Sequence, residues 1–378
     1  MAINAHAIYD SEEDMFVRVA SILPGMTGSV DQAVSAAWML RATTLVGALW
    51  IVADAVRDPT WLLRLWTTIG SVGGSIALLG LMQKATAAPM IFWRAVEQPV
   101  LTFFGTFYYH GNAGAFLNLT LPVTIGLALR AFGGRGRALV RALWLTLSIV
   151  SVVAVFSNTS RMAQLLAAGI ILALLIGLIP MGFKAVRRLE WKGALVGCLA
   201  VMIALVAVVQ TSRLDRSLKR WEQITETVPL DGRWLASAAA LRPVPEAGWF
   251  GFGPGTFHVM FPYYTAGVDK RLGGFWLFLH QDYLQTILEW GWIGSALWGG
   301  LFFGGIGVGI WNRYHGARAE QWLPRQRLLL PLVLLGIGSV AVHALVDFPL
   351  QIASIQLYAA TYLGICWGST SWKVERLK

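Results

Sequence analysis

Cysteine is almost absent from this chain: Cys198 and Cys366 are the only two in 378 residues, and both lie inside apolar stretches. That excludes a disulfide framework and a cysteine-ligated metal site, leaving two thiols that serve as small packing or lipid-facing groups. Charge is scarce as well. Charged residues make up 13% of the chain, against about 25% in soluble domains, while 56% of the residues are hydrophobic and the mean hydropathy is +0.60. This is the composition of a polytopic membrane protein. The net charge of +10 does not point to nucleic acid, because the basic residues stand in short clusters between apolar stretches, as in membrane loops. Residues 1–33 carry Asp10, Glu12, Glu13, Asp14 and Asp31 against Arg18 alone. The basic start and apolar core of a cleavable signal peptide are therefore missing, and internal segments must direct insertion.

What is present is a series of apolar stretches long enough to cross a bilayer, for which about 20 residues suffice. They fall near 36–54, 65–83, 112–131, 141–157, 162–183, 193–210, 290–311, 328–346 and 350–369. The expected fold is all-α, with about nine transmembrane helices and one long extracytoplasmic loop between the sixth and seventh. The first stretch is the weakest, since it holds Arg41 and is closed by Asp54; it either spans or lies partly at the interface. The expected organisation is an extracytoplasmic or interfacial segment at 1–33, a transmembrane domain at 34–369 that includes the loop 211–289, and a cytoplasmic tail at 370–378.

Lys and Arg gather on cytoplasmic loops. Arg135, Arg137 and Arg141 form one cluster, Lys184, Arg187, Arg188 and Lys192 a second, Arg313, Arg318, Arg325 and Arg327 a third, and Lys373, Arg376 and Lys378 end the chain. All four fall on one side of the expected topology. The turn from Ser157 to Arg161, the stretch from Thr211 to about Trp290, and the corner Asp347-Phe-Pro-Leu350 then face outward, as does the acidic N-terminus.

The outer stretch from Thr211 is the one long hydrophilic region, so chemistry on a soluble group belongs there. From Arg213 to Arg233 it reads as a helical run, in which Arg216, Lys219, Arg220 and Arg233 form either a cationic rim or an ordinary solvated face. Gly248-Trp-Phe-Gly-Phe-Gly-Pro-Gly-Thr-Phe257 must be a turn. No strand precedes it and no Lys-Ser/Thr follows, so it is not a nucleotide P-loop. Its aromatics suit an interfacial belt or sugar stacking. Arg161, in Ser157-Asn-Thr-Ser-Arg161, stands at the outer end of a span where positive residues are otherwise rare; it either snorkels to headgroups or meets an anion such as phosphate.

His280 opens the run His280-Gln-Asp-Tyr-Leu-Gln-Thr-Ile-Leu-Glu-Trp-Gly-Trp-Ile-Gly294, a titratable head against the start of an apolar segment. A neutral imidazole accepts a proton near neutral pH and can deprotonate a hydroxyl; an interfacial His can equally cap a helix or sit among headgroups. Asp282 and Tyr283 follow closely enough to orient His280 or line the path of an acceptor, with helix-start capping the expected role of Asp282. Glu289 projects away and supports packing or the loop. His343 and Asp347, four apart, share a face if the helix continues and link a span to the outer corner.

Several of these segments together resemble the O-antigen ligase and O-antigen polymerase superfamily. Phe104 to Pro122 resembles the stretch in which a polar Asn-containing turn leads into a span ending Leu-Pro, and Ser157 to Arg161 its Ser-Arg turn. Gly232-Arg233-Trp234 and Gly251 to Phe257 resemble its outer-loop motifs, His280 to Gly294 its His-x-x-Tyr-Leu pattern, and His343-Ala-Leu-Val-Asp-Phe-Pro-Leu350 its late His-x-x-x-Asp-Phe corner. Their order and spacing cover about residues 65–369.

The resemblance implies a metal-independent glycosyltransferase in the bacterial inner membrane, its site facing the periplasm, that moves a glycan from an undecaprenyl-pyrophosphate carrier to an acceptor hydroxyl on a lipid core, a glycan or a protein. It implies no cofactor. His280 would act on the hydroxyl, and Arg161 and Arg233, with Arg220 in reserve, would hold the pyrophosphate. The outer loop agrees in carrying no Asp-x-Asp pair. Members of the superfamily usually carry more spans than nine, and the missing ones would lie before residue 34. Two further readings stay open: a repeat-unit polymerase of the same superfamily, and a transporter of lipid-linked glycan.

Overall fold

In the computed structural model, residues 4–13, 15–97, 102–133, 138–186, 221, 232–273, 275–316 and 321–372 are described. They divide into two compact units. The first takes in residues 1–57, 226–316 and 344–372, and the second 58–225, 317–343 and 373–378.

The second unit is built around α3 (His110–Gly133), buried along most of its length. Around it lie α2 (Pro59–Ala85), α4 (Ala138–Ser157), α5 (Arg161–Val186) and α10 (Pro324–His343). Asp58 starts α2 by accepting from the Thr60 N–H at 2.8 Å, with Pro59 in the first turn, where its missing N–H costs nothing. Three buried side chains inside the unit donate to backbone carbonyls. Asn118 Nδ2 donates to the Ala163 carbonyl at 2.8 Å, Asn158 Nδ2 to that of His110 at 2.9 Å, and Trp66 Nε1 to that of Val123 at 2.7 Å. Such bonds hold helices together where apolar burial drives no association.

The first unit opens with a feature that residues 1–33 did not announce, an antiparallel hairpin of β1 (Ala7–Asp10) and β2 (Met15–Arg18) in which Tyr9 faces Phe16. Then comes α1 (Gln32–Ala55), capped by Asp31. Short helices α6 (Gly232–Ala240), α7 (Val244–Ala247) and α8 (Phe257–Thr265) precede the long α9 (Asp282–Tyr314), and α11 (Ala353–Gly368) closes the unit. Helices α1 and α11 meet backbone to backbone. A side chain at Gly364 would come within 2.7 Å of the Leu49 carbonyl oxygen, and one at Gly368 within 2.6 Å of that of Ala53. This Gly-x-x-x-Gly pair is the small-residue spacing that lets membrane helices touch.

Six described helices, α1, α2, α3, α4, α9 and α10, are long and apolar enough to span a membrane. Of the other three expected spans, 162–183 falls on α5, apolar over Arg161–Gly177, and 350–369 on α11, which is shorter because Pro349 sets a turn first. The stretch 193–210, most of the expected helical run to Arg233, and Arg220 itself lie outside the described residues.

Candidate active site

The described contacts of His280 lie within the first unit. Its ring Nδ1 is 2.9 Å from Asp347 Oδ1, with both side chains largely buried. A carboxylate only accepts, so the Nδ1 proton is donated to Asp347 and the neutral ring keeps its lone pair on Nε2. The same Asp347 oxygen accepts from the Phe348 N–H at 3.1 Å. Two aromatic rings stand edge-on to the imidazole, Phe348 at 4.8 Å and Trp276 at 6.1 Å between centroids.

The corner that carries Asp347 is fixed by Asp282. Its Oδ2 accepts from the Leu350 N–H at 2.8 Å, its Oδ1 from Gln351 Nε2 at 2.9 Å, and its own N–H donates to the Ala344 carbonyl at 3.0 Å. The start of α9 and the corner 344–351 are thereby joined at three points. This corrects the expected role of Asp282. The cap of α9 is Gln281, whose side chain accepts from the Leu284 N–H. Asp282 instead turns a fully buried carboxylate to the amides of the corner. Tyr283 turns toward Phe303, with ring centroids 6.0 Å apart.

Helix α9 is broken at Gly291, at φ 66° and ψ −173°. The break frees backbone groups, and the glycine loop takes them. Phe252 N–H donates to the Leu288 carbonyl at 2.8 Å and Gly253 N–H to that of Glu289 at 3.1 Å; in return Trp292 and Ile293 donate to the carbonyls of Gly248 and Trp249. Gly251, at φ 77°, lies so close that a Cβ there would fall 2.5 Å from the Glu289 carbonyl. The expected turn at 248–257 is therefore a clasp on the broken helix, and the apolar segment read from Trp290 onward begins where the break lies. Glu289 completes the clasp, accepting from the Phe257 N–H at 3.2 Å and from Gln285 Nε2 at 2.9 Å. Gln285 accepts in turn from the Leu279 N–H at 2.8 Å, the residue before His280.

Arg233 lies on the first turn of α6. That helix buries Ala236, Ala239 and Ala240 in the same core as Leu279 and Leu284, which flank His280 in sequence. A Cβ added at Gly232 would come within 3.9 Å of the Trp276 ring, so the start of α6 lies beside the aromatic wall of the imidazole. Arg161 starts α5, in the second unit. His343 also belongs to that unit, as the buried last residue of α10. The expectation of a helical face shared by His343 and Asp347 fails, because the chain turns at Ala344 and the carboxylate reaches His280 instead.

Near the site, the Tyr264 hydroxyl donates to Glu246 at 2.6 Å, and burial with this carboxylate contact raises its pKa above the usual phenol range. Asp269 is held down at about 2 by its bonds to Arg271. Among the described residues no three His, Cys, Asp or Glu come together as a metal site.

The apolar helices define the class: a multi-pass helical membrane protein. Residues 143–299 match the family model described as O-Antigen ligase, so that stretch is similar to O-antigen ligases. The family is one of ligase- and polymerase-like membrane enzymes of polysaccharide biosynthesis. The match runs from within α4 to within α9, taking in Arg161, Arg233 and His280 and stopping short of Asp347. No curated protein matches the chain.

Proposed function

We propose that this protein is a metal-independent glycosyltransferase that moves a glycan from an undecaprenyl-pyrophosphate carrier to an acceptor hydroxyl at the outer face of the bacterial inner membrane. The observation that carries the reading is the His280–Asp347 pair within 2.9 Å, in a chain whose residues 143–299 match O-antigen ligases. Nε2 of His280 takes the proton of the acceptor hydroxyl as its oxygen attacks the anomeric carbon of the glycan. The bond from that carbon to the carrier's pyrophosphate breaks, and the pyrophosphate leaves with the electron pair. Asp347 holds the ring and stabilises the imidazolium as it forms.

The leaving group gathers negative charge. Guanidinium forks suit it, because they bind phosphate oxygens in pairs and stabilise charge as it develops. Arg233, whose helix start adjoins the wall of the imidazole, and Arg161 are assigned to this role, with Arg220 in reserve. No step calls for a metal or a cofactor.

His280→Ala tests the reading: transfer is lost while membrane insertion and yield stay normal. Unaltered transfer rejects the role of His280. Cells lacking the gene separate the two family activities. Accumulated full-length lipid-linked polymer marks a ligase, and accumulated single repeats a polymerase.

A further inference from the structure

The first unit holds a cavity of about 330 Å³ between α1, α9 and α11 that neither His280 nor Asp347 lines, within the size range of small-molecule pockets. Its walls are mostly apolar, with Leu45, Trp290, Trp298, Phe302 and Leu363 among them, and Arg41 is the one cation lining it among the described residues. Val46 and Phe303, on the same walls, are 41% and 50% exposed, so the cavity opens at the surface. Beside that opening the outward side chains of α1 and α9 are large and apolar, with Trp50, Ile51 and Leu297 exposed. On helices of membrane-spanning length such a surface meets lipid chains.

Arg41 is held in place but incompletely satisfied. Its Nη2 donates to the Gln351 carbonyl at 2.9 Å, and its guanidinium lies 4.4 Å over the Trp38 ring. Its Nε–H is buried and has no partner among the described residues. A guanidinium lining a mostly apolar cavity calls for an anionic counterpart. A small soluble anion leaves the apolar walls empty, and a neutral chain leaves the Arg41 charge without a counterpart.

We propose that this cavity binds an anionic phospholipid of the surrounding bilayer, one acyl chain inside and the phosphate on Arg41, as basic pockets between membrane helices do. The lipid also steadies the site. Gln351 accepts from Arg41 through its backbone and donates through its side chain to Asp282, so the phosphate braces the corner that bears Asp347. The inference rests on the membrane character of the chain alone and stands whether or not the protein transfers glycan.

Native mass spectrometry tests it on the full chain reconstituted in vesicles of equal phosphatidylglycerol and phosphatidylcholine. The wild type retains one phosphatidylglycerol in preference. Arg41→Gln lowers that retention about tenfold, and Leu45→Trp, which fills the cavity while keeping Arg41, lowers it as well. Equal retention of both lipids, or retention unchanged in both variants, overturns the proposal. Displacement of phosphatidylglycerol by an equimolar polyprenyl phosphate overturns the assignment to a phospholipid.

Discussion

At the scale of single residues, Asp347 decides which nitrogen of His280 faces a proton donor. With Nδ1–H committed to the carboxylate at 2.9 Å, Nε2 is the ring atom left to accept a proton. Asp347→Asn keeps the shape of the side chain and removes that charge. Glycan-transfer kinetics should then show kcat falling by roughly 10²-fold with KM little changed. Asp282 has a different task, since its two oxygens meet the amides of Leu350 and Gln351. Asp282→Ala strands both donors in a buried setting and should lower stability by about 1–3 kcal/mol, measured as an earlier unfolding midpoint in detergent. His280 was legible in the sequence as a titratable head before an apolar run, and Asp347 as a polar group in an outer corner. Their pairing was not, because the partners stand 67 residues apart and α9 and α10 intervene. Nor could local pattern tell Gln281 from Asp282 as the cap, since adjacent polar residues differ only in which amides they face.

At the scale of elements, the clasp between the glycine loop and the broken α9 holds the segment that ends at His280. Gly251→Ala brings a Cβ within 2.5 Å of the Glu289 carbonyl at a φ that an L side chain rarely adopts. It should destabilise the protein by about 1–3 kcal/mol and loosen the site, seen as faster amide exchange at 248–257 and reduced transfer. The turn itself was legible from its glycines and proline. Its partner was not, because the positive φ of Gly291 leaves no mark in a run that otherwise reads as one helix. The turn at Asp269–Arg271 is a local matter. Bonding to Arg271 holds the Asp269 carboxyl at about 2, below its unfolded value near 3.9. Its contribution is thus fully present above about pH 4 and is lost only as the pH falls toward 2. The pair is solvent-exposed, so that contribution is small. Asp269→Asn should leave the pH profile of transfer between about 5 and 8 unchanged.

At the scale of the whole molecule, composition alone gave the class, because scarce charge and long apolar stretches admit few alternatives to a membrane bundle. Six of the expected spans appear as helices of full spanning length. The short α11 departs from expectation because a proline corner takes up its first residues, and hydropathy does not distinguish a corner from a helix end. The site follows the same logic. Motifs in Arg161, Arg233 and His280 were visible one by one, whereas the bonds of the 344–351 corner depend on where the chain returns. The most direct test of the account is a double-mutant cycle on His280 and Asp347, read as the rate of glycan transfer from a lipid-pyrophosphate donor by the purified protein in vesicles. If Asp347 acts through His280, Asp347→Asn adds no further loss on top of His280→Ala; losses that multiply independently would contradict the pair as one catalytic unit.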